Sequence, residues 1–299
     1  MASIRQISNR RKAITNIRRI TRTMEMISTA KYKFYKEKLA DMIDFYDALA
    51  QATYLLVTGR EPIDHPLLKE NKSGNSAIMA IGSDRGLCGP FNNYLSRLVI
   101  EHSDRAKQKG SKLDIYASGS RLVHILNSHH IRLERVYDDI VEMPTDLQLD
   151  EICDRFIAKY TAGELDYFGV VYMRYFSATS QRAQTLAVMP LHELIDDLTT
   201  RIKVIWPWEY TLEDFYLSPT ADQIIEGLAK MIIRFTVLHC FTETVLSEHV
   251  ARMVAMRSAT ENANDMIRQL TNDYNKARQT AITSELLDLI GSTGVVGNE

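Results

Sequence analysis

The 299-residue chain is 45% apolar and 25% charged with a formal net charge of −2, the proportions of a soluble globular protein long enough for one large domain or two ordinary ones. Its three cysteines, Cys88, Cys153 and Cys240, lie far apart with no C-x-x-C spacing, which excludes a disulfide framework and a cysteine zinc site and indicates a reducing compartment. No run of eighteen apolar residues occurs, so no segment reads as crossing a membrane.

The charge is unevenly placed. Residues 1–40 hold eleven Lys/Arg against two acidic residues, Glu25 and Glu37, which predicts a basic element that meets something acidic. The same region repeats apolar residues at helical steps: Ile4, Ile7, Ile14, Ile17, Met24, Ile27, Phe34, Leu39, Met42, Tyr46 and Leu49. Residues 1–58 contain neither glycine nor proline. The prediction is one helix of roughly 85 Å that packs along this apolar stripe. An Arg-rich, acid-poor start also fits an organelle transit peptide, but the helical pattern runs on past any plausible cleavage site. Positions 7, 14, 21, 28, 35, 42 and 49 read Ile, Ile, Thr, Ser, Tyr, Met and Leu. A strong dimeric zipper keeps large aliphatics there, so this is a slender, tolerant seam.

The middle, about 75–213, alternates strand and helix. SAIMAIGS reads as a strand before a helix near 91–108, and KLDIYASG as a strand before a short helix in RLVHILNSHH. TDLQLDEICDRFIAKYT reads as a helix; YFGVVYMRYFS and QRAQTLAVMPL read as strands joined by a tight turn at Ala178–Ser180. This order predicts an α/β sheet. Residues 59–74 and 192–220 read as connectors, and His129-His130 as a helix-end or loop feature.

The turn IGSDRGLCGPFN, residues 81–92, sits where a phosphate loop would. A P-loop needs a lysine and a hydroxyl after its last glycine, yet Pro90 and Phe91 follow Gly89; the dinucleotide fingerprint needs G-x-G-x-x-G, and the spacing here is four then three. The plain reading is a tight strand-to-helix turn, with Arg85 as its most interesting side chain. No catalytic constellation, cofactor site or metal site emerges. Glu243 and Glu248 are expected to face solvent, and Met24/Met26 and Met253/Met256 to be adaptable core.

The last helix repeats Ile224, Leu228, Met231, Phe235, Leu238, Leu246, Met253, Met256, Ala263, Ile267, Leu270, Tyr274 and Ala277. The division is therefore 1–58, an N-terminal coiled-coil helix; 75–213, a central α/β (Rossmann-like) domain; and 220–299, a C-terminal coiled-coil helix. The two helices should pair antiparallel as a coiled coil. The second should overhang by about 20 Å. Its end, AITSELLDLIGSTGVVG, carries no charge beyond Asp288 and asks for a socket on another protein.

Three stretches in order, ASIRQISNRRKAITNIRRITRTMEMISTAKYK, SDRGLCGPFN and SEHVARMVAMRSATENANDMIRQLTNDYNKARQTAITSELLDLI, resemble the γ subunits of F-type ATP synthases. The resemblance spans the whole chain. It implies a rotor shaft without an active site or cofactor, standing in a ring of α and β subunits, with its α/β domain beside the ε subunit on the membrane c-ring. By that resemblance Met24, Lys31 and Arg85 lie near an acidic β loop, Arg278 and Gln279 catch a β loop, and Thr283 and Glu285 belong to the tip. Pro90 stands where the family has a second glycine. Leu217-Ser218-Pro219 replaces a Y-E-P triplet near the c-ring. No Cys-x5-Cys insertion of the chloroplast kind is present. The family motif begins at Met1, which favours a bacterial protein on the cytoplasmic face of the membrane. Two other classes compete: a nucleotide-binding α/β enzyme with helical arms, and a coiled-coil adaptor or nucleic-acid binder that uses the basic arm. The periodic stripe and the apolar tip favour protein sockets over nucleic acid.

Overall fold

The computed structural model describes residues 4–57, 65–194 and 221–294. In chain order they form α1 (Ile4–Val57), a 3-10 turn (Pro66–Leu68), β1 (Asn75–Ile81), α2 (Phe91–Lys109), β2 (Lys112–Ser118), α3 (Ser120–Ser128), β3 (Arg135–Tyr137), α4 (Asp146–Thr161), β4 (Tyr167–Ser177), β5 (Ser180–Met189) and α5 (Ala221–Gly294). The expected Leu217-Ser218-Pro219 departure and most of the second connector lie outside the described residues. The three-residue β3 is too short to show alternation in the sequence. The chain divides into two compact units, one from Met1–Thr29 with Arg252–Glu299 and one from Ala30–Ala251.

The first unit pairs the start of α1 with the later part of α5. Arg11 lies over the Tyr274 ring, Arg18 Nη1 donates to Asn264 Oδ1, and the Thr21 and Thr260 hydroxyls meet at 2.8 Å. As the number on α1 rises, its partner on α5 falls, so the helices are antiparallel. The seam is made of small and polar side chains: Thr21, Ser28, Thr260 and Ala263 are buried with Met256. Each threonine hydroxyl also lies against a carbonyl of its own helix, Arg18 at 3.1 Å and Met256 at 2.8 Å, so burial leaves neither without a partner.

The aliphatic stripe predicted to pack does not do so throughout. Ile17, Ile27 and Phe34 are 48%, 52% and 57% exposed, whereas Thr21, Ser28, Tyr35, Met42 and Leu49 are buried. At Thr21 and Ser28 the inward row is small, so the backbones lie close and the larger Ile17 and Ile27 beside it stay outside; from Tyr35 onward the same row carries large side chains.

In the second unit a five-stranded sheet has the order β3-β2-β1-β4-β5, parallel except for β5, which pairs antiparallel with β4 as a hairpin. Helices cover both faces, so β1 is buried from Ala77 to Ile81. One face packs α4 and α5 against Met79, Phe168, Val170 and Leu186; Phe156 stacks on Phe168 at 3.8 Å and meets Tyr116 edge-on. The other face packs α2 and α3 against Ile78, Ala80 and Val171. Helix α4 starts with a capping box, Thr145 Oγ1 accepting from Gln148 N while the Gln148 side chain accepts from Thr145 N.

Every residue of α5 from 240 to 250 is buried. Glu243 and Glu248, expected to face solvent, are 6% and 9% exposed, because this stretch is enclosed on all sides rather than along one stripe. Two of its hydroxyls complete the sheet. Strand β4 outruns β1, whose ladder ends at Ala80 opposite Val171. Past that rung the free edge of β4 is completed by α5: Met173 N–H donates to Thr244 Oγ1 at 3.3 Å, and Ser247 Oγ donates to the Met173 carbonyl at 3.2 Å.

An unmade bond at a buried backbone group costs about 1–3 kcal/mol. Thr244→Val and Ser247→Ala should therefore each lower unfolding stability by that amount, read as a fall in denaturant midpoint. Amide exchange at Met173 should rise in Thr244→Val.

Candidate functional site

The glycine turn between β1 and α2 is closed by its own side chains. Ser83 N–H donates to Asn92 Oδ1, Asn92 Nδ2 donates to Ser83 Oγ at 2.7 Å, and Ser83 Oγ donates to the Arg85 carbonyl. Cys88 is buried beside them. The turn crosses the β2–α3 turn so tightly that a Cβ on Gly119 would lie 2.4 Å from the Gly82 carbonyl carbon, and φ at Gly119 is +91°. The backbone at the start of α3 is already capped by a carboxylate, Ser120 N–H donating to Asp84 Oδ1 at 3.0 Å. Pro90, at the N-cap of α2, has no N–H to offer an anion there. What the turn presents outward is Arg85 and the 62%-exposed Leu87, itself at φ +66°.

Lys31, expected at a partner contact, is tied within its own unit. Its Nζ lies 2.8 Å from Glu142 Oε2, and His249 Nε2 lies 2.7 Å from Glu142 Oε1. One carboxylate from the β3–α4 loop thus joins α1 to α5. Tyr35 stacks on His249 at 5.8 Å with 14° between the rings. Burial, and then the nearby Glu142 carboxylate, push the Tyr35 phenol up to about 12. Burial by itself would raise the Glu142 carboxyl, but the bonds from Lys31 and His249 outweigh it and hold the carboxyl below its ordinary 4.5. Glu142 reaches this position at φ +66°, a left-handed conformation that costs a non-glycine residue about 1–2 kcal/mol. No sequence signal marks Glu142 or His249, because residues 31, 142 and 249 come together only in the fold.

The remaining expected residues lie in the other unit. Met24 is half-buried beside the seam. Met26 is 63% exposed, not core, while Met256 is buried. Arg278, Gln279, Thr283 and Glu285 are exposed on the last turns of α5. The hydroxyls there turn back on the helix, Thr280 to the Lys276 carbonyl and Thr283 to that of Gln279. Among the described residues neither Arg278 nor Gln279 has a side-chain partner. Ile282, Leu286 and Leu287 nearby are 45%, 53% and 63% exposed, the uncovered tip that the sequence implies.

Two long antiparallel helices with a small-residue seam, separated in the chain by a Rossmann-like sheet whose glycine turn is closed on itself, define an α/β-bodied coiled-coil subunit. Residues 3–294 match the profile of the ATP synthase family. The ATP synthase gamma chain of Rhodopirellula baltica is 32% identical over 292 residues, covering 97% of this chain and 98% of that one. The ATP synthase gamma chain of Leptospira biflexa is 31% identical over 299 residues, covering 99% and 100%. Among solved structures, a chain of the Euglena gracilis mitochondrial ATP synthase OSCP/F1/c-ring assembly superposes with a TM-score of 0.64 at 18% identity, covering 98% of this chain and 94% of that one. A chain of the Tetrahymena thermophila mitochondrial ATP synthase central stalk and c-ring gives 0.54 at 18%, covering 80% and 99%. These structures share the fold, and the chain belongs to the ATP synthase gamma chain family.

Because the folded state holds the Glu142 carboxyl below its unfolded value, the stability it contributes is present above about pH 4.5 and is lost as pH falls through the lower, folded value. Glu142→Gln should therefore be less stable than the parent at neutral pH, with the difference vanishing on acidification. Unfolding midpoints measured from pH 7 down into the acid range test this; a difference that does not shrink as pH falls below 4.5 would refute the ionic tie.

Proposed function

We propose that the chain is the central rotor shaft of an F-type ATP synthase, a non-catalytic subunit that couples ion-driven turning of a membrane c-ring to conformational cycling of nucleotide sites on the β subunits. The observation that carries this reading is the surface left over after pairing. With the seam of α1 already filled, Ile17, Ile20, Ile27 and Phe34 remain uncovered at steps of three and seven, among arginines and lysines, and the tip of α5 is apolar too. An amphipathic coiled coil with a second, outward apolar row is made to be surrounded by other chains. The small seam keeps the pair slender enough to stand inside them.

The partners in this reading are the α and β subunits around the helices, with ε and the c-ring at the α/β domain, on the cytoplasmic face of a bacterial membrane. No helix among the described residues is long and apolar enough to cross a membrane, which is consistent with peripheral attachment. Met24 and Arg85 would meet acidic β loops, and Lys31 would do so only by leaving or sharing Glu142. Exposed ion pairs of this kind are individually weak, which lets the shaft pass from one β subunit to the next. Arg278 and Gln279, with their side chains unengaged, would catch a β loop; Thr283, Glu285 and the apolar turns around them would run in a collar with few directional bonds. The self-closed glycine turn suits a part that moves nucleotide-bearing neighbours without binding nucleotide itself.

Reconstitution with the α and β subunits of the same organism should give one copy of this chain per three α and three β, with ATPase activity belonging to the assembly and absent from the isolated chain. Arg278→Ala/Gln279→Ala should reduce coupled ATP synthesis about tenfold, the loss expected for a contact hot spot. Unchanged synthesis and hydrolysis would remove the catch role.

A further inference from the structure

Beyond the rungs that α4 and α5 cover, the β4–β5 hairpin has one face committed and one face open. On the committed face Met173 is buried in the cluster that α2 and α3 form over the sheet, and the Tyr175 hydroxyl lies 3.2 Å from that of Tyr32 on α1. With the two hydroxyl bonds from α5 to the Met173 backbone, this fixes the hairpin as a rigid platform. The other face changes character along its rungs. Val170 and Leu186 are buried, and Gln184 then donates to the Tyr172 hydroxyl at 2.6 Å. The next rung sets Arg174 directly opposite Arg182. Phe176 follows at a register shift, 52% exposed, with the Arg174 guanidinium 4.9 Å above its ring.

Two like charges on directly opposed strand residues repel. Arg182 is exposed and Arg174 half-buried, and among the described residues no carboxylate pairs with either. Solvent screens that repulsion only in part, and a carboxylate placed between the two guanidiniums would turn it into attraction. The exposed aromatic ring beside it supplies apolar contact area, and Arg and aromatic side chains are the types that anchor protein interfaces.

We infer that the open face of the β4–β5 hairpin is a docking surface for an acidic segment of another protein subunit, in which carboxylates lie between Arg174 and Arg182 and an apolar side chain covers Phe176. Carboxylates on a folded neighbour fit better than a lipid surface, because the two guanidiniums stand on one rung of a narrow hairpin rather than across a broad basic plane. This inference rests on the reading that the chain works within a multisubunit assembly, but not on which neighbour holds the segment.

The test places a photoreactive benzoylphenylalanine at position 176 of the full chain in the purified ATP synthase complex. Irradiation should join it to a peptide rich in Asp and Glu. Arg174→Glu/Arg182→Glu should cut the yield about tenfold, and so should the milder Arg174→Gln/Arg182→Gln. Lysines placed at the acidic positions of the captured peptide should restore the yield in the Glu variant. In the isolated chain, Arg182→Glu alone should raise the melting temperature by about 1–3 °C, because it turns the repulsive rung into a pair. Capture of a neutral or basic peptide, capture of lipid, no capture from an intact complex, or a lowered melting temperature for Arg182→Glu would each overturn the proposal. An intact complex of normal stoichiometry without capture sinks the hairpin surface alone. Failure of the parent chain to assemble sinks the shaft reading, and the hairpin proposal with it.

Discussion

A helix enclosed on every side must find a partner for each polar group it carries, and residues 240–250 of α5 impose that condition on the second unit. Thr244 and Ser247 complete the open edge of β4, and His249 reaches Glu142. A uniformly apolar helix would bury as much surface, but it would leave the Met173 backbone without partners. It would also slide more easily along the sheet, because dispersion contacts have little directional preference. Hydroxyls and a carboxylate fix rotation and register at the same time. For a part that must carry torque, resistance to slip matters more than the total free energy of burial.

The seam in the first unit follows the opposite logic. Thr21, Ser28, Thr260 and Ala263 fill little volume, so the helices lie close and the larger side chains are pushed to the flanks. The outer apolar row is a direct consequence of the small inner one. A zipper of leucines would hold the pair more tightly and bury more of its own surface, and it would leave less for surrounding subunits to grip.

The Glu142 tie connects these themes. A loop residue in a left-handed conformation holds α1 and α5 by one carboxylate, with Lys31 on one oxygen and His249 on the other. The conformational cost at Glu142 is offset by two charge-assisted hydrogen bonds. Lys31, which motif resemblance assigns to a partner, thereby has an intramolecular bond of its own, and any contact outside would have to compete with that closure for the same ammonium.

Much of this was legible in the amino-acid order. The length of α1 followed from the absence of glycine and proline, and strand and helix alternation from the apolar runs. These are local or periodic properties, and a chain cannot hide them. Periodicity did not decide which of two neighbouring rows faces inward, because Ile20, Ile27 and Phe34 repeat every seven residues just as the buried row does. It placed Glu243 and Glu248 in solvent, because a single helix gives no sign of what surrounds it. Glu142, His249 and the facing arginines of the hairpin were silent in the sequence for the same reason. Their meaning lies in distances between residues far apart along the chain or across a strand register, and only tertiary packing sets those distances.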